Sequence, residues 1–238
     1  MTFRAVIMAG GRGARLGDAA AGLPKALLPL GGGHVLGRLL DQLVDGGCAG
    51  IDLCLGFQAD RIIDAIGQDW RGIPVIYWCE DAPLGTAGAL REVLRARQGT
   101  WPSDTLVANC DIVADLDIAN LLSRHRHHGQ GASVVTATLV QNLRFGTVDC
   151  DGDGQPVTAL REKPQTRHRI IAGLYLFRTA DLLFALTPGE GRLEMPNLLA
   201  RFLVPGAAGI VNLDLLGDWI DVGLPEDYAR ARDRFGTC

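Results

Sequence analysis

Two side chains stand out by their type. In a chain of 238 residues with 23 basic side chains, only Lys25 and Lys163 are lysines, and arginine fills every other basic position. An ammonium is a compact point charge and a guanidinium is a planar fork, so a retained lysine suggests a role that arginine cannot fill. Lys25 lies in Leu23-Pro24-Lys25-Ala26-Leu27-Leu28-Pro29-Leu30, where the preceding proline stiffens the segment and can hold a long side chain toward one point. One loop earlier stands Met8-Ala9-Gly10-Gly11-Arg12-Gly13-Ala14-Arg15-Leu16. Its glycines let backbone N–H groups approach an anion, and Arg12 and Arg15 can complement phosphate charge. No GK[ST] follows, and Leu16 stands where a dinucleotide fingerprint needs its third glycine. On the glycines alone, a plain strand-to-loop turn fits as well as a phosphate site. Lys163 belongs to a separate segment, Arg161-Glu162-Lys163-Pro164.

The elements that must position these residues read as an α/β alternation. Phe3–Ala9 is a continuous apolar run, the pattern of a buried parallel strand. Helices are expected at 35–44, 59–66, 87–96 and 117–128, and strands at 51–56, 74–78 and 105–109. That order implies βαβ units, a mainly parallel sheet and helices on both faces. The second half reads differently. Strands at 132–139, 146–150, 157–161 and 170–177 surround a turn at Asp151-Gly152-Asp153-Gly154, an antiparallel insertion. Helices at 180–186 and 193–202 follow, then a strand at 208–213. A last helix starts at Pro225, with Glu226 and Asp227 near its positive dipole end. One domain over 1–238 is expected, with no linker or repeat.

Composition narrows the classes. Apolar residues make up 47% and charged residues 21%, as in folded globular chains. A net charge of −4 gives no global field for nucleic acid, so an anionic ligand must be met by a few placed cations. No apolar run approaches the roughly 20 residues of a membrane span, and the first residues lack a signal-peptide pattern. No membrane association and a cytoplasmic location are expected. Cys48, Cys54, Cys79, Cys110, Cys150 and Cys238 show no metal-ligand spacing and read as reduced thiols.

Taken in order, AGGRGARL, LPKALLPL, PLGTAGAL (83–90), NCD (109–111), FGTV (145–148), EKP (162–164), AGLYLF (172–177) and WIDVGLPEDY (219–228) resemble the sugar-1-phosphate nucleotidyltransferase (nucleotide-sugar pyrophosphorylase) family over nearly the whole chain. The resemblance implies a three-layer αβα Rossmann-like (GT-A-type) fold with a mixed, mainly parallel sheet and an antiparallel insertion. It implies a nucleotide-binding half over about 1–115 and a sugar-phosphate-binding half over about 116–238. The substrates would be a nucleoside triphosphate and a sugar 1-phosphate, and a homodimer is compatible with it. By the same resemblance Ala9, Gly10, Gly11, Arg12, Gly13 and Arg15 would hold the triphosphate, with Arg15 on the departing pyrophosphate and Lys25 on the α-phosphate. Gly85, Gly88 and Asn109 would belong to the nucleotide site. Asp111 and Asp221 would bind Mg²⁺, for which Mn²⁺ may substitute, and Arg15, Lys25 and Asp111 would be the catalytic set. Gly146, Glu162 and Gly173 would meet the sugar, and Lys163 its phosphate. The physics is consistent, since an in-line displacement joins two anions and Mg²⁺ needs only one or two carboxylates beside phosphate oxygens.

Within the family the chain resembles short forms such as heptose-1-phosphate guanylyltransferases, without the long carboxy-terminal extension of larger relatives. PLGTAGAL and IDVGLPEDY favour GTP and a heptose- or mannose-like sugar, with uridylyl or thymidylyl transfer as the alternative. Ala14 replaces the usual threonine of the loop, and Cys110 stands where a glycine is common. Two other classes compete. A glycosyltransferase would use an Asp-x-Asp pair, which Asp115 and Asp117 offer, and a non-catalytic relative would bind nucleotide-sugar or a protein. Three signals are set aside. Asp149-x-Asp151-x-Asp153-Gly154 reads as a hairpin turn, because Leu160 stands where a calcium loop needs glutamate. His125, His127 and His128 read as exposed residues ending a polar helix, and Arg230, Arg232 and Arg234 as a solvated face.

Overall fold

A computed structural model describes residues 2–236, apart from Asp81, Pro83, Gln98, Thr100 and residues 188–190. Pro83 of the PLGTAGAL segment and the Cys238 thiol therefore lie outside the described residues.

The elements run β1 (Phe3–Ala9), 3-10 turns at Ala14–Ala20 and Lys25–Leu27, β2 (Pro29–Leu30), β3 (Gly33–His34), α1 (Val35–Asp45), β4 (Cys48–Leu55), α2 (Ala59–Ile66), β5 (Asp69–Trp70), β6 (Ile73–Cys79) and α3 (Thr86–Ala96). The second half continues with β7 (Asp104–Asn109), β8 (Ile112–Ala114), α4 (Ile118–His128), β9 (Ala132–Asn142), β10 (Thr147–Asp149), β11 (Ala159–Arg161) and β12 (Gln165–Arg178). It ends with α5 (Thr179–Leu186), α6 (Met195–Ala200), β13 (Ile210–Asp214), β14 (Trp219–Asp221) and α7 (Pro225–Phe235).

Among the described residues the main sheet has eight strands in the order β13-β9-β12-β7-β1-β4-β6-β5. The stretch β7-β1-β4-β6 is parallel, while β12 runs antiparallel to both its neighbours. Alternation along β1 explains the layering. Phe3, Ala5, Ile7 and Ala9 enter a core shared with α1, α2 and α4, and Val6 and Met8 enter one shared with α3, α5 and α6. The expected three-layer αβα arrangement is thus present, with apolar packing on both faces.

The antiparallel insertion is also present, and it is longer than the sequence suggests. β12 begins at Gln165 rather than 170, and Gln165–Ile171 pair with Thr136–Asn142 of β9 in a mostly exposed ribbon. β10 and β11 form the small hairpin of that ribbon, closed by an Arg161–Asp149 ion pair at 2.7 Å. The Asp-rich segment is therefore a turn.

One expectation fails. His125 is buried, with Nδ1 2.7 Å from Ser133 Oγ. It shares the inward face of α4 with Ile118, Leu121 and Leu122, the i, i+3, i+4, i+7 positions of one stripe. His127 and His128 are exposed as expected, and no group of three or more potential metal ligands occurs among the described residues. Arg230, Arg232 and Arg234 are exposed on α7. The five described cysteines are free thiols, and Cys79 and Cys150 are exposed.

Candidate active site

Open parallel sheets bind ligands where neighbouring strands connect in opposite directions at their carboxyl ends. Here that point lies between β1 and β7, where Met8 pairs with Asn109 and the Cys110 N–H donates to Met8 O at 3.1 Å. The glycine loop leaves β1 on one side. On the other, the chain turns through Cys110 and Asp111 into β8.

Asp221 reaches this point through a separate two-stranded sheet. β14 pairs antiparallel with β8, setting Asp221 opposite Ile112, and the Val222 N–H donates to Asp111 O at 2.9 Å. Ile220 and Val222 anchor the pairing in an apolar cluster with Leu16, Val113 and Phe235. Trp219 Nε1 also donates to Ala172 O at 2.8 Å, which ties β14 to β12. Two carboxylates far apart in sequence therefore stand side by side.

Their electrostatics are compatible with a bound cation. Burial and the neighbouring Asp111 charge push the Asp221 carboxyl up to about 6, and its Oδ1 is buried without a hydrogen-bond partner. Lys25 Nζ forms an ion pair with Asp111 Oδ2; the lysine side chain is 20% exposed and the aspartate 8%. Burial works against the charged Lys25, but Cys110, Asp111 and Asp221 outweigh it, so its pKa lies above the usual lysine value. Arg15 completes the cluster from the turn after the loop. A Cβ placed on Gly223 would lie 3.2 Å from Arg15 Nη2 and 3.6 Å from Asp221 Oδ1. Two acids and two bases thus meet at the mouth of the sheet, and the unpartnered Asp221 oxygen fits a divalent cation whose other ligands are water and phosphate.

Beside this cluster lies a cleft of about 320 Å³, walled by Met8, Gly10, Gly11, Lys25, Cys54, Glu80, Gly85, Thr86, Ala89, Asn109, Arg192 and Glu194. A Cβ on Gly11 would lie 3.8 Å from Lys25 Nζ and project into the space before the ammonium. Gly173 has a different constraint. Its φ of 76° disfavours a side chain, and a Cβ would approach Asn109 Nδ2 to 2.9 Å.

The sequence-derived residues fall in different places. Gly10, Gly11, Lys25, Gly85 and Asn109 share the cleft, while Arg15, Lys25, Asp111 and Asp221 share the charged cluster. Ala9 is buried in β1, Gly88 is buried against Leu84 and Leu193, and Arg12 is exposed; none of these three, nor Gly13, is part of the cleft wall. Gly146, Glu162 and Lys163 lie together on the ribbon. A Gly146 Cβ would lie 3.0 Å from Glu162 Oε2, and Lys163 pairs with Glu162 at 3.8 Å with both side chains exposed. Thr86 lies inside PLGTAGAL but was not singled out there, and the motifs do not point to Glu80, Arg192 or Glu194. Glu80 could have been found, since it follows the last residue of a parallel strand.

The rival metal pair is otherwise engaged. Asp115 pairs with Arg38 at 2.5 Å, and Asp117 caps α4 by accepting from the Asn120 N–H at 2.9 Å. A larger hollow of about 810 Å³, lined by Trp101, Asp104, His125 and Arg126 among others, contains none of the site residues.

Fold and cluster together define an α/β protein with a charged cleft at the carboxyl end of a parallel sheet. Residues 4–236 match the nucleotidyl transferase family, and the chain belongs to it. It is 30% identical over 233 residues to the mannose-1-phosphate guanylyltransferase catalytic subunit beta of Drosophila pseudoobscura pseudoobscura, covering 94% of this chain and 60% of that protein. The Xenopus laevis mannose-1-phosphate guanyltransferase beta-B is 27% identical, with 95% and 62% covered. The chain therefore spans about 60% of the length of these curated relatives. Among solved structures, HddC from Yersinia pseudotuberculosis superposes with a TM-score of 0.70 at 27% identity, covering 98% of this chain and 99% of that one. A Bacillus anthracis protein provisionally designated a glucose-1-phosphate thymidylyltransferase shares the fold at a TM-score of 0.76 and 21% identity, with 98% and 94% covered.

Proposed function

We propose that this protein transfers a nucleoside monophosphate from a nucleoside triphosphate to a sugar 1-phosphate, releasing pyrophosphate, with GTP and a mannose- or heptose-like sugar 1-phosphate as the preferred pair. The observation that carries the proposal is the meeting of Arg15, Lys25, Asp111 and Asp221 at the mouth of the glycine-walled cleft. The guanylyltransferase names of the mannose-1-phosphate relatives support the base and sugar.

In this scheme a phosphate oxygen of the sugar 1-phosphate attacks the α-phosphorus in line, a new P–O bond forms, and the α–β anhydride bond breaks. Lys25 turns from Asp111 to the α-phosphate, where charge builds, and Arg15 receives the pyrophosphate. Asp111 and Asp221 would hold a divalent cation, Mg²⁺ or Mn²⁺, which when bound supplies charge neutralisation at the phosphates. Glu162, Gly146 and Gly173 meet the sugar, and Lys163 holds its phosphate from the ribbon side. The nucleotide half then corresponds to about 1–115 and the sugar half to about 116–238, in a cytoplasmic enzyme with which a homodimer is compatible. No helix among the described residues is long and apolar enough to cross a membrane. A matrix of the four nucleoside triphosphates and deoxythymidine triphosphate against several sugar 1-phosphates, followed by pyrophosphate release, tests the assignment. Release of nucleoside diphosphate from a nucleotide-sugar offered with an acceptor, and no pyrophosphate from the matrix, would favour the glycosyltransferase alternative.

A further inference from the structure

The hollow of about 810 Å³ lies at the opposite end of the sheet from the charged cluster. β7 starts in its wall at Asp104 and ends at Asn109 in the cleft. That run of strand spans roughly 17 Å. The volume falls in the range of small-molecule sites. Two ring nitrogens of its wall residues, Trp101 Nε1 and His125 Nε2, are buried without a hydrogen-bond partner among the described residues. The His125 side chain is fully buried. Its Nδ1 edge is turned to Ser133, outside the wall, and its Nε2 edge lies 3.9 Å from Asp104 Oδ1, within the wall. That separation is too long for a hydrogen bond. Asp104 takes its donors on the other oxygen, where Ser103 Oγ reaches Oδ2 at 2.7 Å and Arg126 Nε and Nη2 at 3.0 and 2.8 Å. A buried N–H without an acceptor is costly, and a ligand that supplies one explains it.

We propose that this hollow is a second ligand site, which takes an uncharged polyhydroxylated molecule, a free sugar or a glycoside. Charge argues first. Arg126 pairs with Asp104 at 2.8 Å and Arg178 with Asp181 at 2.6 Å, so each guanidinium of the wall is already matched by a carboxylate. Burial lowers the His125 pKa against the pull of Asp104, which leaves the ring neutral at pH 7. An entering anion therefore meets no uncompensated positive charge. A wholly apolar ligand fails for another reason, since it leaves the ring nitrogens unpaired. A hydroxyl both donates and accepts, and the indole only donates. With the Ser133 hydroxyl donating to Nδ1, the ring hydrogen of His125 sits on Nε2. One ligand hydroxyl in the 3.9 Å gap then accepts from Nε2 and donates to Asp104 Oδ1, and a second accepts from Trp101. Trp101, Pro102 and Leu183 give the apolar surface on which the C–H face of a sugar ring packs.

The test follows binding by calorimetry and by the indole N–H resonance of Trp101, identified through its loss in Trp101→Phe. Mannose, methyl mannoside and maltose are the sugars, inorganic phosphate and acetate the anions, and guanosine an uncharged heterocycle. A sugar should move the Trp101 resonance saturably, with a Kd on the order of 1 mM. Trp101→Phe keeps a ring and removes the donor, so the calorimetric affinity should fall by about 3–10-fold, as for one neutral hydrogen bond. Ala180→Trp fills the hollow from an exposed wall position and should abolish binding with little change in Tm. Should that variant fail to fold, the Trp101→Phe affinity decides alone. No saturable shift with any of the sugars would leave the hollow to water and overturn the proposal. So would tighter binding of phosphate, acetate or guanosine at Trp101, or an unchanged affinity in Trp101→Phe. Sugar binding that survives in a folded Ala180→Trp would place the sugar elsewhere and overturn it too.

Discussion

At the residue scale, the charged cluster carries a destabilising feature. Asp221 keeps a buried oxygen unpartnered beside a second carboxylate, so Asp221→Asn should remove repulsion from the metal-free protein. Its Tm should rise by about 2–4 °C, the shift that about 1 kcal/mol gives in a domain of this size, while turnover is largely lost. A lower Tm would mean that the carboxylate is satisfied in a way the cluster does not reveal. Lys25→Ala should reduce kcat by on the order of 10²–10³-fold, as for other preorganised charge stabilisers, with little change in the KM for either substrate. Lys163→Ala should chiefly raise the KM for sugar 1-phosphate. Separate variation of the two substrates distinguishes these effects, and unchanged constants in both variants would remove both lysines from the substrate sites. The cluster was largely legible in the sequence, because a lysine-poor composition and ordered motifs singled out Lys25, Asp111 and Asp221. Glu80 was missed, although its place directly after a parallel strand was a usable signal.

At the scale of elements, the site depends on two devices: the β8–β14 pairing and the backbone at Gly173. Gly173→Ala places a side chain at φ 76° and against Asn109. It should cost about 1–2 kcal/mol and weaken nucleotide binding by displacing Asn109 from the cleft wall, seen as a lower Tm together with a raised KM for the triphosphate. A variant with wild-type values of both would remove Gly173 from the site. The buried parallel strands and their helices were readable, since both faces of β1 pack and the helices carry apolar stripes. Elsewhere the pattern failed for physical reasons. β8 is only three residues long, and Gln165–Arg169 of β12 is polar and mostly exposed, so neither leaves a periodic apolar trace. His125 was misjudged by its polar neighbours although its i+7 spacing from Ile118 marked the buried stripe.

At the scale of the molecule, the account requires that two anions be brought together by one edge of one sheet. The glycine loop and Lys25 come from the first half, Asp221 from the last strand, and the ribbon supplies the second substrate's side. Such a device joins substrates only when both are present and their charge is neutralised. The most direct test is pyrophosphate release by the purified protein with GTP and mannose 1-phosphate or a heptose 1-phosphate, with each substrate omitted in turn and with Mg²⁺ replaced by EDTA. Pyrophosphate should appear, matched mole for mole by nucleotide-sugar, only when triphosphate, sugar phosphate and metal are all present. Release of nucleoside diphosphate or inorganic phosphate, or full activity in EDTA, would contradict it.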